Sequence, residues 1–179
     1  MNVTRAVLPV MRGQRSGHLI ALSSGAGLVG FEYSSVYAAS KAGLEGWMGA
    51  LAQEVAPFGI TTTIVNPGFF RTGLASPESP VRSRQSGVVG VARRRGRRLR
   101  RLRRAQRQWW QAQDGQQPGD PDKLARAVVV LAEETPPPTR FIAGADVIAL
   151  AERKIAELQA EVDSHRALST SLIYDDLPR

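Results

Sequence analysis

Three side chains that could share a proton-transfer step lie close together in the sequence: Ser24, Tyr37 and Lys41. Tyr37 and Lys41 are four residues apart, so on a helix their side chains lie on the same face. An unperturbed phenol titrates at about pH 10, and a neighbouring ammonium group favours its ionised form. Such a phenol can protonate a carbonyl oxygen or deprotonate an alcohol. A serine hydroxyl can hold the same oxygen by a hydrogen bond.

These residues need a strand and a helix to position them, and the sequence predicts both. Apolar residues spaced three and four apart predict a helix over residues 2–12, with Pro9 inside it. A short apolar run predicts a strand over 18–23, a helical period predicts a long helix over 35–56, and β-branched residues predict a strand over 60–66. This order implies parallel strands, and therefore an α/β, doubly wound, Rossmann-like sheet in three α/β/α layers.

The predicted sheet places Ser24 at the end of its first strand. Ligands bind at the carboxyl ends of strands in open α/β sheets, and the loop after Asn66 leaves the second strand at that same edge. Because side chains alternate along a strand, Ser23 turns away from the site if Ser24 faces it.

The remainder of the chain predicts three further elements of one domain that spans residues 1–179. Asp120 followed by proline is typical of a helix N-terminus, and this helix is expected to end at Glu134. A short strand over 140–143 and a final helix over 145–167 follow. Residues 168–179 are expected to form a loose tail.

Composition excludes several classes of site. The chain has no cysteine, and its two histidines, His18 and His165, lack the paired spacing of metal ligands. We therefore expect neither disulfides nor a metal site. No run of about 18 apolar residues and no signal-peptide pattern is present, so we expect a cytoplasmic protein that does not enter a membrane.

The net charge of +8 comes from one segment. Residues 82–107 contain 12 of the 24 basic residues and no acidic one, so the remainder has 12 basic against 16 acidic residues. This arginine-rich segment has three interpretations: a nucleic-acid-binding arm next to Trp109 and Trp110, a solvated disordered insertion, or a frame error in GC-rich coding DNA. We favour the third interpretation, because the segment contains no acidic residue at all. We therefore do not expect nucleic acid as a partner.

Three motifs together resemble the short-chain dehydrogenase/reductase family. They are the glycine-rich stretch LSSGAGLVG at 22–30, the YxxxK pattern from Tyr37 to Lys41, and the turn VNPG at 65–68. The spacings of 13 residues from Ser24 to Tyr37 and of 30 from Tyr37 to Pro67 are those of the family. The likeness extends over residues 1 to 75, and the segment 109–176 resembles the later part of one bacterial-type branch.

The resemblance implies an NAD(P)-dependent oxidoreductase that interconverts an alcohol and a carbonyl, with a small molecule as substrate. It makes Ser24 the catalytic serine and Tyr37 the general acid and base. Lys41 favours the ionised phenol and holds the nicotinamide ribose, so Tyr37 and Lys41 also contact the cofactor. Family members associate through the helix that here spans 35–56, which implies a homo-oligomer.

The loop after the second strand resembles the part of the family that contacts the nicotinamide end of NAD or NADP. The residues that match are Pro67, Gly68, Phe70 and Thr72. The resemblance does not distinguish the two cofactors.

The glycine-rich turn that receives the pyrophosphate in this family is not found in the sequence. Gly25, Gly27 and Gly30 follow the wrong strand, and Asn2 sits too late in its helix to be the family's catalytic asparagine. We therefore expect the C-terminal portion of a longer enzyme, without the N-terminal strands and with the strand at His18 left at a sheet edge. As it stands, this portion should be inactive and bind NAD(P) weakly. The alternatives are a basic nucleic-acid-binding protein on a decayed α/β scaffold and a non-functional fragment.

Overall fold

A computed structural model of the chain describes residues 1–32, 34–74, 76, 104, 108 and 111–174. The helices and strands with described bounds are α1 (Asn2–Gln14), β1 (Gly17–Leu22), α2 (Ser35–Val55), β2 (Ile60–Pro67), α3 (Pro121–Glu133), β3 (Arg140–Ala143) and α4 (Ala145–Thr170). Short 3-10 turns at Gly25–Gly27 and Ala56–Phe58 follow β1 and α2.

The predicted elements are present, with small differences at their ends. Helix α1 continues through Pro9 without a break. Strand β1 begins and ends one residue earlier than predicted, although the Ser23 amide still donates to the carbonyl oxygen of Val65 (2.7 Å). Helix α4 runs three residues beyond the predicted end at Ala167, because none of its last residues breaks a helix.

The sheet is parallel, with strand order β1-β2-β3 over the described residues. Gly17 pairs with Ile60 at one end of β1, and Ile64 pairs with Arg140 at the start of β3. This register brings the carboxyl ends of all three strands to one edge. Over the described residues β1 is an edge strand, as expected from the sequence. The chain has the predicted α/β, Rossmann-like fold.

Helix α2 and one face of the sheet form the main hydrophobic core. Its buried members are Met48, Leu51, Val55, Ile60 and Ile64, and side chains of α1 and β1 pack around them. On the other face of β2, Thr63 and Val65 are also completely buried. Both faces of β2 are therefore covered, as its run of β-branched residues predicts.

The predicted cap of α3 is confirmed. The carboxylate of Asp120 accepts hydrogen bonds from the backbone amides of Asp122 (2.9 Å) and Lys123 (3.3 Å). These hydrogen bonds, that of Lys123 first, hold the pKa of Asp120 below its usual value. Pro121 occupies the first helical position, where it has no intrahelical amide bond to lose.

Two segments named from the sequence lie partly or mostly outside the described residues. Of the arginine-rich segment 82–107, the structure describes only Arg104. Of the expected tail, residues 168–170 belong to α4, residues 171–174 follow it and are exposed, and 175–179 lie outside. None of the helices in the described ranges combines the length and apolar character needed to cross a membrane.

Candidate active site

Ser24 lies at the carboxyl end of β1, two residues after Leu22, the last residue that pairs with β2. Its backbone is extended, and its hydroxyl oxygen accepts a hydrogen bond from the amide of Ala26 (3.2 Å), which caps the turn Gly25–Gly27. The side chain of Ser23 points elsewhere and is buried, with its hydroxyl donating to Glu45 (2.6 Å). The two serines therefore have different environments, as the alternation along a strand predicts.

Tyr37 and Lys41 lie on successive turns at the start of α2. The ammonium nitrogen of Lys41 lies 5.8 Å from the centre of the Tyr37 ring. The same nitrogen donates a hydrogen bond to the carbonyl oxygen of Leu22 (2.9 Å), the last residue of β1. The lysine thus joins the first turns of α2 to the strand end that leads into Ser24, and it brings two of the three predicted catalytic side chains into contact.

Two opposing effects act on the charge of Lys41. Partial burial of the ammonium group lowers its pKa below the usual value, and the carboxylate of Glu45, one turn further along α2, raises it. The burial effect is the larger of the two. The site therefore contains a partly desolvated cation with one nearby anion.

The predicted cofactor loop follows β2 and is fixed mainly by its backbone. Pro67 pairs with Ala143 as the last residue of the strand, and the Gly68 amide donates to the Ala143 carbonyl oxygen (2.9 Å). Phe70 forms a parallel bridge with Gly119. The amide of Thr72 donates to the carbonyl oxygen of Phe70 (2.9 Å). These contacts hold the loop against the segment that precedes α3.

Asp146, in the first turn of α4, is a loop contact that the sequence analysis missed. Its carboxylate accepts a hydrogen bond from the Phe69 amide (2.8 Å) and sits where side chains on Gly68 and Gly144 would have to lie. Both glycines are therefore needed for this close approach. The signal in the sequence was an acidic residue two positions after a glycine at a helix start.

A polar cluster that is mostly buried and joins α2 to the sheet was also missed. It consists of Ser23, Glu45, Asn66 and Arg140, which we call the Glu45 cluster. The Glu45 carboxylate accepts from Ser23, from the side-chain amide of Asn66 (2.7 Å) and from Arg140 (2.7 Å). Arg140 also donates to the Asn66 side-chain oxygen (2.6 Å). The available signal was a carboxylate four residues after Lys41 in a helix made mostly of small and apolar residues.

The glycines after β1 serve internal packing. A side-chain carbon on Gly25 would lie 3.0 Å from Val147 and 3.3 Å from Leu150, and one on Gly27 would overlap the carboxylate of Glu45. These positions contact the protein's own side chains, so the turn does not offer the open backbone that a pyrophosphate group needs.

The described part of the chain contains no group of three His, Asp or Glu side chains arranged to hold a metal ion.

Comparison with known proteins gives the same family as the motifs. The family model described as short chain dehydrogenase matches residues 1–82. The chain is 32% identical over 170 residues to the oxidoreductase BOA17 of Botryotinia fuckeliana, covering 93% of this chain and 57% of that protein. It is 48% identical over 73 residues to a 3-ketodihydrosphingosine reductase of Bacteroides thetaiotaomicron, covering 41% of this chain and 27% of that protein.

A solved structure matches nearly the whole chain. It is a short-chain dehydrogenase from Streptomyces avermitilis, 31% identical, with a TM-score of 0.70 over 96% of this chain and 57% of that one. The chain thus spans somewhat more than half the length of these full-length relatives. Sequence motifs, fold and relatives agree in their similarity to the short-chain dehydrogenase/reductase family.

Proposed function

We propose that this chain provides the acid–base part of an NAD(P)-dependent short-chain oxidoreductase that interconverts a small alcohol and a carbonyl compound. The observation that supports this most strongly is the position of Lys41. Its ammonium group contacts the Tyr37 ring and the last carbonyl group of β1, two residues before Ser24. A cation is therefore held between a phenol and the last carbonyl group of β1, at the sheet edge where ligands of this fold class bind.

Each of the three side chains has a distinct role in the proposed reaction. In the reductive direction, the phenol of Tyr37 gives its proton to the carbonyl oxygen of the substrate, and in the oxidative direction it takes the proton of the alcohol. The hydroxyl of Ser24 donates a hydrogen bond to the same oxygen. Lys41 places a positive charge beside the phenol. When bound, NAD(P) supplies or accepts the hydride.

The groups that would hold the nicotinamide half of the cofactor follow from the same proposal. An ammonium group has three N–H donors, and the contact with Leu22 uses one of them, so Lys41 can also reach a ribose hydroxyl. Pro67, Gly68, Phe70 and Thr72 would line the nicotinamide side. Backbone pairing with Ala143 and Gly119 supports this part of the proposal, because it gives the loop a fixed course.

We further propose that residues 1–179 on their own bind NAD(P) weakly and have no measurable dehydrogenase activity. The support is the turn after β1, where the space beside Gly25 and Gly27 is occupied by the side chains of Val147, Leu150 and Glu45. The test is to mix the purified chain with NADH or NADPH and a panel of aldehydes and ketones, and to follow absorbance at the nicotinamide band. Measurable oxidation of either cofactor would contradict this proposal.

The proposed function itself is tested in an N-terminally extended protein, in which the first part of the Streptomyces avermitilis dehydrogenase precedes this chain. We expect this protein to bind NAD(P)H, seen as a change in nicotinamide fluorescence, and to reduce at least one carbonyl of the panel. The role of Lys41 is tested by Lys41→Met in the same extended protein. This change should weaken cofactor binding and slow turnover. Equal binding and turnover by both proteins would contradict the role of Lys41.

We also propose that the protein self-associates through the solvent side of α2 and acts in the cytoplasm. The exposed positions of this helix include Ala39, Ala42, Gly43, Gly46 and Gly49. Such a surface of small residues allows a second helix to approach closely. The absence of cysteine fits a protein that has no need of an oxidising compartment.

A further inference from the structure

The Glu45 cluster lies directly beneath the candidate site and connects elements that are far apart in the sequence. Glu45 belongs to α2, Asn66 to β2 and Arg140 to β3. The carboxylate of Glu45 is nearly buried, with 9% of its side chain exposed, whereas the Arg140 side chain is 36% exposed. A nearly buried carboxylate is unfavourable unless its oxygens are paired. Ser23 and Asn66 lie near the carboxyl ends of β1 and β2, whereas Arg140 is the first residue of β3.

The side-chain amide of Asn66 has only one orientation that satisfies its neighbours. Its nitrogen donates both to Glu45 and to the carbonyl oxygen of Ser24 (2.9 Å), while its oxygen accepts from Arg140. In the flipped orientation, the amide oxygen would face the carboxylate of Glu45 and the carbonyl of Ser24, and the amide nitrogen would face the guanidinium group. The Glu45–Arg140 ion pair therefore fixes the orientation of Asn66 by opposite charges on its two sides.

The orientation of Asn66 in turn fixes the main chain at Ser24. The carbonyl oxygen of Ser24 accepts hydrogen bonds from the Asn66 side chain and from the Gly27 amide (2.9 Å). Gly27 lies directly against Glu45, with no space for a side chain between them. The turn from Ser24 to Gly27 is thus held in place by two members of the Glu45 cluster, Asn66 and Glu45.

We propose that Glu45 and Arg140 are positioning residues, which act through Asn66 to hold the Ser24 turn in the geometry that a substrate oxygen requires. This inference rests on the proposed function for its purpose. Breaking the ion pair should therefore loosen the Ser24 turn much more than the rest of the fold.

The experiment is site-resolved amide hydrogen exchange by NMR on the full chain without ligand. The reporters are the Gly27 amide, which is bonded to Ser24, and the side-chain amide of Asn66. The reference is the backbone amide of Val55, the last residue of α2 and a buried member of the hydrophobic core. In Arg140→Met we expect the reporters to exchange about tenfold faster or more, and the reference to change less than about twofold.

Two further variants separate positioning from a general loss of stability. The hydrogen bonds from Arg140 to Glu45 and to Asn66 both come from Nη1, so an ammonium group can replace them. Arg140→Lys should therefore restore reporter exchange to within about threefold of the parent. Arg153→Met removes an exposed arginine on α4 and should change neither reporter. If Arg140→Met leaves an uncompensated Glu45 charge that prevents folding, the paired change Glu45→Gln with Arg140→Met removes both charges and should still speed the reporters selectively.

The inference is overturned if reporters and reference speed up together, if neither changes in Arg140→Met, or if Arg140→Lys behaves like Arg140→Met. Because exchange is measured without cofactor or substrate, none of these outcomes depends on Tyr37 acting as an acid. A failure of catalysis in the extended protein, with selective exchange intact, would instead count against the proposed function alone.

Discussion

At the scale of single residues, Lys41 links the structure to the proposed chemistry. Its neighbour Tyr37 could be predicted from the four-residue spacing, because a helix places such residues on one face. The carbonyl of Leu22, which accepts from Lys41, could not, since a backbone contact between strand and helix has no local pattern in the sequence. Nor could the role of Glu45, because its partner Arg140 lies 95 residues away along the chain.

The charge balance at Lys41 gives the first prediction. Since the carboxylate of Glu45 raises the pKa of Lys41 against the effect of burial, Glu45→Gln should lower the pKa of Lys41 further. NMR of reductively methylated protein can follow the three lysines, and Lys154, whose pKa is raised by Glu157, should titrate above Lys41 in the parent. Glu54→Gln, at an exposed position of the same helix, is the control. An unchanged or higher value for Lys41 in Glu45→Gln would refute this account.

At the scale of elements, helices and strands followed well from local patterns, because apolar periodicity and caps act over a few residues. The cap of α3 is an example, with Asp120 and Pro121 in the expected places. The contacts between elements could not be predicted from these local patterns. The Asp146 contact to the loop after β2 and the filling of the turn after β1 depend on chain segments that meet only in the folded protein.

The turn after β1 should tolerate no side chain at Gly27. A methyl group there would overlap the Glu45 carboxylate, so Gly27→Ala should destabilise the protein by about 1–3 kcal/mol through overpacking. Gly13→Ala is the matched control, because it lies in α1 with no atom near the added carbon, and it should stabilise by about 0.5–1 kcal/mol. Urea unfolding measures both changes. A stable Gly27→Ala would mean that the turn is not packed against Glu45.

Strand β1 contains a histidine that should make stability depend on pH. The Thr63 hydroxyl donates to the Pro138 carbonyl oxygen (2.5 Å), so the bond between His18 Nε2 and Thr63 Oγ1 (2.7 Å) must have the imidazole as donor. The other ring nitrogen, Nδ1, is buried and has no partner among the described residues. Burial therefore disfavours the protonated ring and lowers the pKa of His18 from 6.5.

The direction of the pH effect follows from that lowered pKa. As pH falls below 6.5, the unfolded chain takes up a proton that the folded protein still refuses, so stability decreases until the folded pKa is reached and then levels off. His18→Gln should flatten this decrease in unfolding experiments between pH 7 and 5, whereas His165→Gln, at an exposed position, should not. An equally steep decrease in the parent and in His18→Gln would assign the effect to other groups.

At the scale of the whole molecule, the fold class and family could be predicted because three motifs occur at fixed spacings around one sheet edge. The resemblance to the family gave the expectation of self-association through α2, and the small residues of this helix lie on its exposed side. No helix or strand could be predicted over residues 77–103, because that segment gives no apolar period on which to base one, and these residues lie outside the described part of the chain.

Self-association through α2 is testable by sedimentation. We expect particles heavier than the 19.4 kDa chain, and Gly46→Arg should convert them to monomers by placing a large charged side chain on the exposed face of α2. Ala156→Arg adds the same side chain to an exposed position of α4 and should leave the assembly unchanged. Dissociation by Ala156→Arg but not by Gly46→Arg would move the interface to α4.

The most direct test of the central claim is the turnover number of the extended protein with and without the Tyr37 hydroxyl. Tyr37→Phe removes the hydroxyl group that carries the transferred proton and keeps the ring. We therefore expect kcat to fall by about a hundredfold or more, with cofactor affinity nearly unchanged. Tyr174→Phe alters an exposed tyrosine that follows the last helix and should retain the parent kcat. A Tyr37→Phe protein that retains the parent kcat would contradict the assignment of Tyr37 as the general acid and base.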